Sequence, residues 1–196
     1  MIINRFTRRF LHTLVLAVAI GYLFTDPASA QRRDFMTDEE IELIRDSQDI
    51  DARIEVLAKM IDRRFNVLGI EVGGWKLGGK QSDTWGENPK GTRLELLSDI
   101  KKLLQKAIDD IDNLAEHPDS APVREKGDKE AKKDPQRFSV AVRSLGKAAE
   151  RYLPALRSQI DISKDDMEKG LLLASIDLST QIIEAVGKLP PEVKKK

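Results

Sequence analysis

Residues 73–91, GGWKLGGKQSDTWGENPKG, hold six of the chain's twelve glycines and both of its tryptophans. Indole rings on a backbone that turns freely are suited to recognition, because tryptophan on a loop can anchor a partner. Disordered linkers avoid such residues. Val72, Trp75, Leu77 and Trp85 are therefore expected to be covered, either by one end of the protein's own core or by a binding partner. Trp75, Leu77 and Trp85 are the candidate binding residues, for a protein or an envelope polymer.

Other chemistries suggested by residue type can be weighed in turn. Gly74 to Lys80 fits the letters of a phosphate-binding loop, G-x-x-x-x-G-K, but Gln81 stands where a hydroxyl should hold magnesium. The stretch also follows a helical pattern rather than a strand, so nucleotide binding is not expected. Asp161, Ser163 and Asp165 resemble the opening of a calcium loop, yet Asp166 replaces the glycine and Leu172 the closing glutamate. Acidic residues capping a helix explain the same letters. Glu87 beside Trp85, and the cluster Asp109, Asp110 and Asp112, leave an alternative function open: a carboxylate-dependent envelope hydrolase, which would need two acids set across a cleft. Asp109 and Asp112 are expected to face water instead, opposite the Ala107, Ile108 and Ile111 seam. Histidine is too scarce for a triad or a multi-histidine metal site, and cysteine is absent. No cofactor, no metal and no catalytic residue are expected.

The amino terminus speaks for a compartment. Arg5, Arg8 and Arg9 precede the apolar run Leu14 to Phe24, which ends in Asp26, Pro27 and the triplet Ala28-Ser29-Ala30. A basic head, an apolar middle and an A-x-A site make a secretory signal peptide, residues 1–30, cut between Ala30 and Gln31. The run is about 16 Å long as a helix, short of a hydrocarbon core of about 30 Å. An uncut amino-terminal anchor in the inner membrane is the alternative, and the only membrane association foreseen. Thr7-Arg8-Arg9-Phe10-Leu11 hints at the twin-arginine route, but His12 weakens the match and the general secretory route is favoured. The expected destination is the periplasm or the exterior.

Cleavage would leave 30 basic and 32 acidic side chains, a formal net charge of −2, with His117 the one histidine. Nucleic-acid binding needs a clustered basic surplus, so none is expected. An exported chain without disulfides must be stabilised by its core, and residues 31–196 suffice for one domain.

The elements that would position the loop follow from capping and periodicity. Thr37 and Glu40 form a capping box, with Met36 and Ile41 spaced as a hydrophobic staple. That short helical segment should pause at Ser47-Gln48-Asp49. Beyond it Ile50, Ile54, Leu57, Ile61, Phe65 and Leu68 form one apolar stripe. Thr92 and Glu95 make a second capping box before Leu97, Ile100, Leu104, Ala107, Ile111 and Leu114. Asp134 and Pro135 open a third long helix with Phe138, Val142, Leu145, Ala149, Tyr152 and Leu156. Pro154 should kink it. A cap at Ser163, stapled by Ile162 and Met167, opens the last helix, with Met167, Leu171, Ala174, Leu178, Ile182 and Ala185 as its seam; Gly187 and the prolines beyond stop it.

The expected fold is thus all-α: four long amphipathic helices in a left-handed bundle, with a short extra N-terminal helical segment and a Gly/Trp-rich loop, 69–91, after the first long helix. The last two helices should form an antiparallel hairpin. The order of the others is open, because residues 116–133 read as a charged, flexible linker; residues 188–196 read as a flexible tail.

Overall fold

The computed structural model describes residues 33–74, 82–117 and 135–191. The signal-peptide site at Ala28, Ala30 and Gln31, the binding candidates Trp75 and Leu77, the body of the charged linker and the lysine tail lie outside the described residues. The chain divides into Met1–Asp34 and Phe35–Lys196, and every helix described belongs to the second unit. The helices are α1 (Asp38–Asp46), α2 (Ile50–Val67), α3 (Ser82–Trp85), α4 (Arg93–Glu116), α5 (Pro135–Ile162) and α6 (Asp166–Gly187). The protein is all-helical, with no strand among the described residues.

Local chemistry sets the helix ends. Thr37 Oγ1 accepts from Glu40 N, and Glu40 Oε2 accepts from Thr37 N at 3.1 Å, which closes the capping box of α1. The Thr92–Glu95 box does the same for α4. Between α1 and α2 the chain breaks at Ser47 and Gln48. Asp49 caps α2 without a side-chain bond to the helix, and its carboxylate pairs with Arg137 at the start of α5. α5 runs unbroken through Pro154. Glu150, whose carbonyl loses its donor there, is on the exposed side with Pro154, where water can serve it.

The helices of 18, 24, 28 and 22 residues, α2, α4, α5 and α6, pack as a ring. α2 and α6 each touch both α4 and α5, so α2 lies diagonally across from α6. Cross-helix bonds fix the directions. Arg64 near the end of α2 approaches Asp99 near the start of α4, so that pair is antiparallel. Asp62 meets Tyr152 while Asp49 meets Arg137, so α2 and α5 are parallel. Arg93 meets Glu168 at the starts of α4 and α6, which are likewise parallel. α5 and α6 form the antiparallel hairpin. The connection 117–134 therefore joins diagonal neighbours, which helps explain its length.

The expected stripes of α2, α4 and α5 are the core: Ile54, Leu57, Ile61, Phe65, Ile100, Leu104, Ala107, Ala149, Tyr152 and Leu156 are all fully buried. Each such Leu or Ile contributes about 1.5–3 kcal/mol relative to exposure.

The seam of α6 differs from expectation. Its buried row is Leu172, Ser175, Ser179 and Ile182, while Leu171, Ala174, Leu178 and Ala185 flank it half-buried. Two serines on the seam permit close approach, and their hydroxyls donate to the carbonyls of Leu171 and Ser175 one turn back. α5 answers with Gly146, where a Cβ would overlap Val186 Cγ2. The cap also moves: Asp165 Oδ1 accepts from Met167 N and Glu168 N, so α6 starts two residues later than a Ser163 cap would put it. Ile162 and Met167 are both 65% exposed and make no staple. With apolar residues on every side, α6 is the one helix among the described residues long and apolar enough to cross a membrane, at mean hydropathy 1.3. A core helix meets the same criterion, and α6 packs on both α4 and α5.

Candidate functional site

The sequence Met60-Ile61-Asp62-Arg63-Arg64-Phe65 is buried on all sides of α2. Successive helical residues turn by about 100°, so the consecutive charges Asp62, Arg63 and Arg64 point to three different neighbours. Each roots a different segment of the chain.

Arg64 faces α1. Its Nη1 and Nη2 donate to Glu40 Oε1 and Oε2 at 2.5 and 2.6 Å, a forked pairing that fixes both groups in one plane. Nη2 also donates to the Phe35 carbonyl at 2.7 Å and Nη1 to Met60 O at 3.1 Å, while Asp99 of α4 lies 3.9 Å from Nε. Arg63 Nη1 reaches the same Glu40 Oε1 at 2.7 Å. Glu40, Arg63, Arg64 and Asp99 are each at most 3% exposed. Two positive and two negative charges form a compensated set, without which burial would cost several kcal/mol per ion. Burial lowers the Arg63 pKa, the Glu40 carboxylate opposes that fall and the neighbouring Arg64 adds to it.

Arg63 faces the far end of the Gly/Trp-rich stretch. Its Nη2 donates to the Glu87 carbonyl at 2.6 Å, and its guanidinium carbon lies 5.4 Å from the Trp85 ring centre. Trp85 is 6% exposed and belongs to the core cluster. Gly86 follows it at φ +60°, a left-handed backbone that residues with a Cβ rarely adopt.

Asp62 faces α5 and the near end of the same stretch. Tyr152 donates its one hydroxyl proton toward Asp62 Oδ1 at 2.7 Å, with Ala58 O at 3.0 Å the second acceptor. Arg151 Nη1 lies 3.2 Å from Asp62 Oδ1 and donates to the Val72 carbonyl at 3.0 Å. Gly74, at φ +82°, lies so close that a Cβ would overlap Asp62 Oδ2 and Arg151 Nη1. Burial, then the Asp62 charge, push the Tyr152 hydroxyl well above the ordinary tyrosine range.

The candidate binding residues thus separate. Trp85 is packed against Arg63, and Trp75 and Leu77 lie on the connection between the two rooted ends. Glu87, the candidate acid, is exposed and accepts a bond from Lys90, whose ammonium holds its carboxyl below the usual range. A general acid requires the opposite shift. An open cleft of about 720 Å³ lies beside it, with Asn66, Val67, Asn88 and Pro89 in its wall and Glu87 the one carboxylate among the described residues that line it. Asp109 and Asp110 accept from Gln105 and Lys106 on their own helix. Among the described residues no three His, Asp or Glu side chains converge as a metal site.

The buried charges were not among the sequence candidates. A signal existed: Arg64 falls three residues after Ile61 and seven after Leu57, and Asp99 three after Leu96 and four before Leu103. Both occupy apolar-face positions, where a charge needs a partner. The partners themselves, 23 to 90 residues away, have no local signature.

Comparisons with protein-family models, with curated proteins and with solved structures find no match to this chain.

Proposed function

We propose that this chain is an exported helical-bundle protein of a bacterial-type envelope or exterior, acting by binding or scaffolding through the connection that carries Trp75 and Leu77. The supporting observation is how that connection is rooted. Its entry is held by Arg151 on the Val72 carbonyl, and its exit by Arg63 on the Glu87 carbonyl with Trp85 buried beneath. Binding residues characteristically ride on loops whose ends are set by a rigid scaffold. Trp75 and Leu77 fall in sequence between those two fixed points, and a segment tethered at both ends loses less freedom on binding a partner than a free tail does.

The test is site-specific photo-crosslinking in the intact envelope. A photoreactive residue at Trp75 or Leu77 should yield one discrete adduct, while the same residue at exposed Lys101 on α4 yields none. Smears of equal intensity from all three positions, or no adduct from the connection, would refute the reading. Intact mass of the purified protein tests export separately: the chain should begin at Gln31.

A further inference from the structure

α1 is the least embedded of the helices with a cap. It spans nine residues, below the length of about 12–15 residues at which an isolated helix holds itself, and among the described helices it touches only α2 and α3. Its sole buried residue is Glu40. A three-residue break, Ser47 to Asp49, follows it, bridged by Arg53, whose Nε donates to the Ser47 carbonyl at 3.0 Å. The helix is therefore tied at its carboxyl end and held elsewhere by one carboxylate and by flanking apolar contacts from Met36, Leu43 and Ile44.

Part of what receives that carboxylate lies outside α1. Arg63 is also held by the Glu87 carbonyl and the Trp85 face, and Arg64 by the Met60 carbonyl with Asp99 3.9 Å from its Nε, while the Phe35 carbonyl ahead of α1 takes a further bond from Arg64. With α1 lifted away, two guanidiniums would still converge on one point, beside the apolar surface that α1 now covers. Without Glu40, two guanidiniums beside the single carboxylate of Asp99 would leave a surplus positive charge that an anion offsets. Another carboxylate would restore the bonds lost, so exchange of one acidic segment for another is far less costly than simple opening.

We infer that Arg63 and Arg64 form a carboxylate-receiving pocket which α1 occupies as a displaceable latch through Glu40, and that an amphipathic acidic helix of a partner protein competes for it. The present occupant defines the ligand: one carboxylate flanked by apolar residues at helical spacing, laid in a groove. This pocket is distinct from residues 75–81 and does not rest on the function proposed for them.

Two measurements decide it. Native-state hydrogen exchange on the full chain should show the amides of residues 41–46 exchanging at least about 100-fold faster than those of 57–65, the mark of sub-global opening. Equal protection would overturn the proposal. In the second, a fluorescent peptide with the sequence of residues 35–48 is titrated onto the full chain carrying Glu40→Ala. Saturable binding is expected, weakened at least about tenfold, or 1.4 kcal/mol, when the peptide carries Glu40→Gln. Absence of binding, or equal affinity of the two peptides, would overturn it. So would a Glu40→Ala chain that does not fold, because a displaceable latch leaves the bundle standing.

Discussion

Tyr152 makes the buried contact between α2 and α5 measurable. Its hydroxyl is fully buried and donates to the Asp62 carboxylate, and its pKa is raised well above the usual value, first by burial and then by that charge. The folded state therefore keeps its proton where the unfolded chain, with a tyrosine pKa of about 10, gives it up. The unfolded state then binds fewer protons, and stability falls as pH rises. Ionisation of one tyrosine favours the unfolded chain by about 0.4 kcal/mol at pH 10 and about 1.4 kcal/mol at pH 11, with the slope ending only at the folded pKa. Tyr152→Phe removes this slope along with the hydrogen bond, at a cost near neutrality of about 1.5–3 kcal/mol for a bond to a charged group. The stability gap between parent and Tyr152→Phe, from urea unfolding followed by circular dichroism, should narrow by about 1.4 kcal/mol from about pH 8 to pH 11. Lysine ionisation is common to both proteins and cancels. A second readout is direct, since a chain beginning at Gln31 has Tyr152 as its one tyrosine. Phenolate absorbance should stay absent in the folded protein at pH 10 and appear on unfolding. Parallel stability curves, or phenolate appearing in the native protein near pH 10, would refute this account of the contact.

Other substitutions test neighbouring steps. Gly74→Ala combines a left-handed backbone, about 1–2 kcal/mol, with overlap on Asp62 and Arg151, so it should lower the urea midpoint by more than the backbone term alone. Gly146→Ala should cost about 1–3 kcal/mol by overpacking against Val186, and Val186→Ala in the same chain should recover part of that in a thermal melt. Ser179→Ala should fall within about 0.5 kcal/mol of the parent, since its hydroxyl serves only the Ser175 carbonyl on its own helix; Ser179→Leu, which widens the α6 seam, should lose about 1–3 kcal/mol.

Capping and periodicity made most of the fold legible. Thr37 with Glu40 and Thr92 with Glu95 announce helix starts by a local rule, and three of the apolar stripes fall on the core because each of those helices has one apolar face. α6 escaped the rule. Leu171, Leu172 and Leu173 point three ways, so period alone cannot choose among them, and the choice falls to Gly146 and to the small Ser175 and Ser179, which let α5 and α6 approach. The candidate site was half visible. Trp85 was expected to need cover, and the buried charge of Arg63 supplies part of it. For Asp62, Arg63 and Arg64 the apolar-face position of Arg64 was the local sign, and nothing near them in the chain announces Glu40, Asp99 or Tyr152.

The central claim is that the charges of α2 act as a root for the segments packed around them. A double-mutant cycle of Glu40→Gln and Arg64→Met, read by urea unfolding of the full chain, tests it most directly. The forked pairing predicts a coupling of about 1.5–3 kcal/mol, with Glu40→Gln far milder once Arg64 is gone. Single costs that add to within about 0.5 kcal/mol would contradict it.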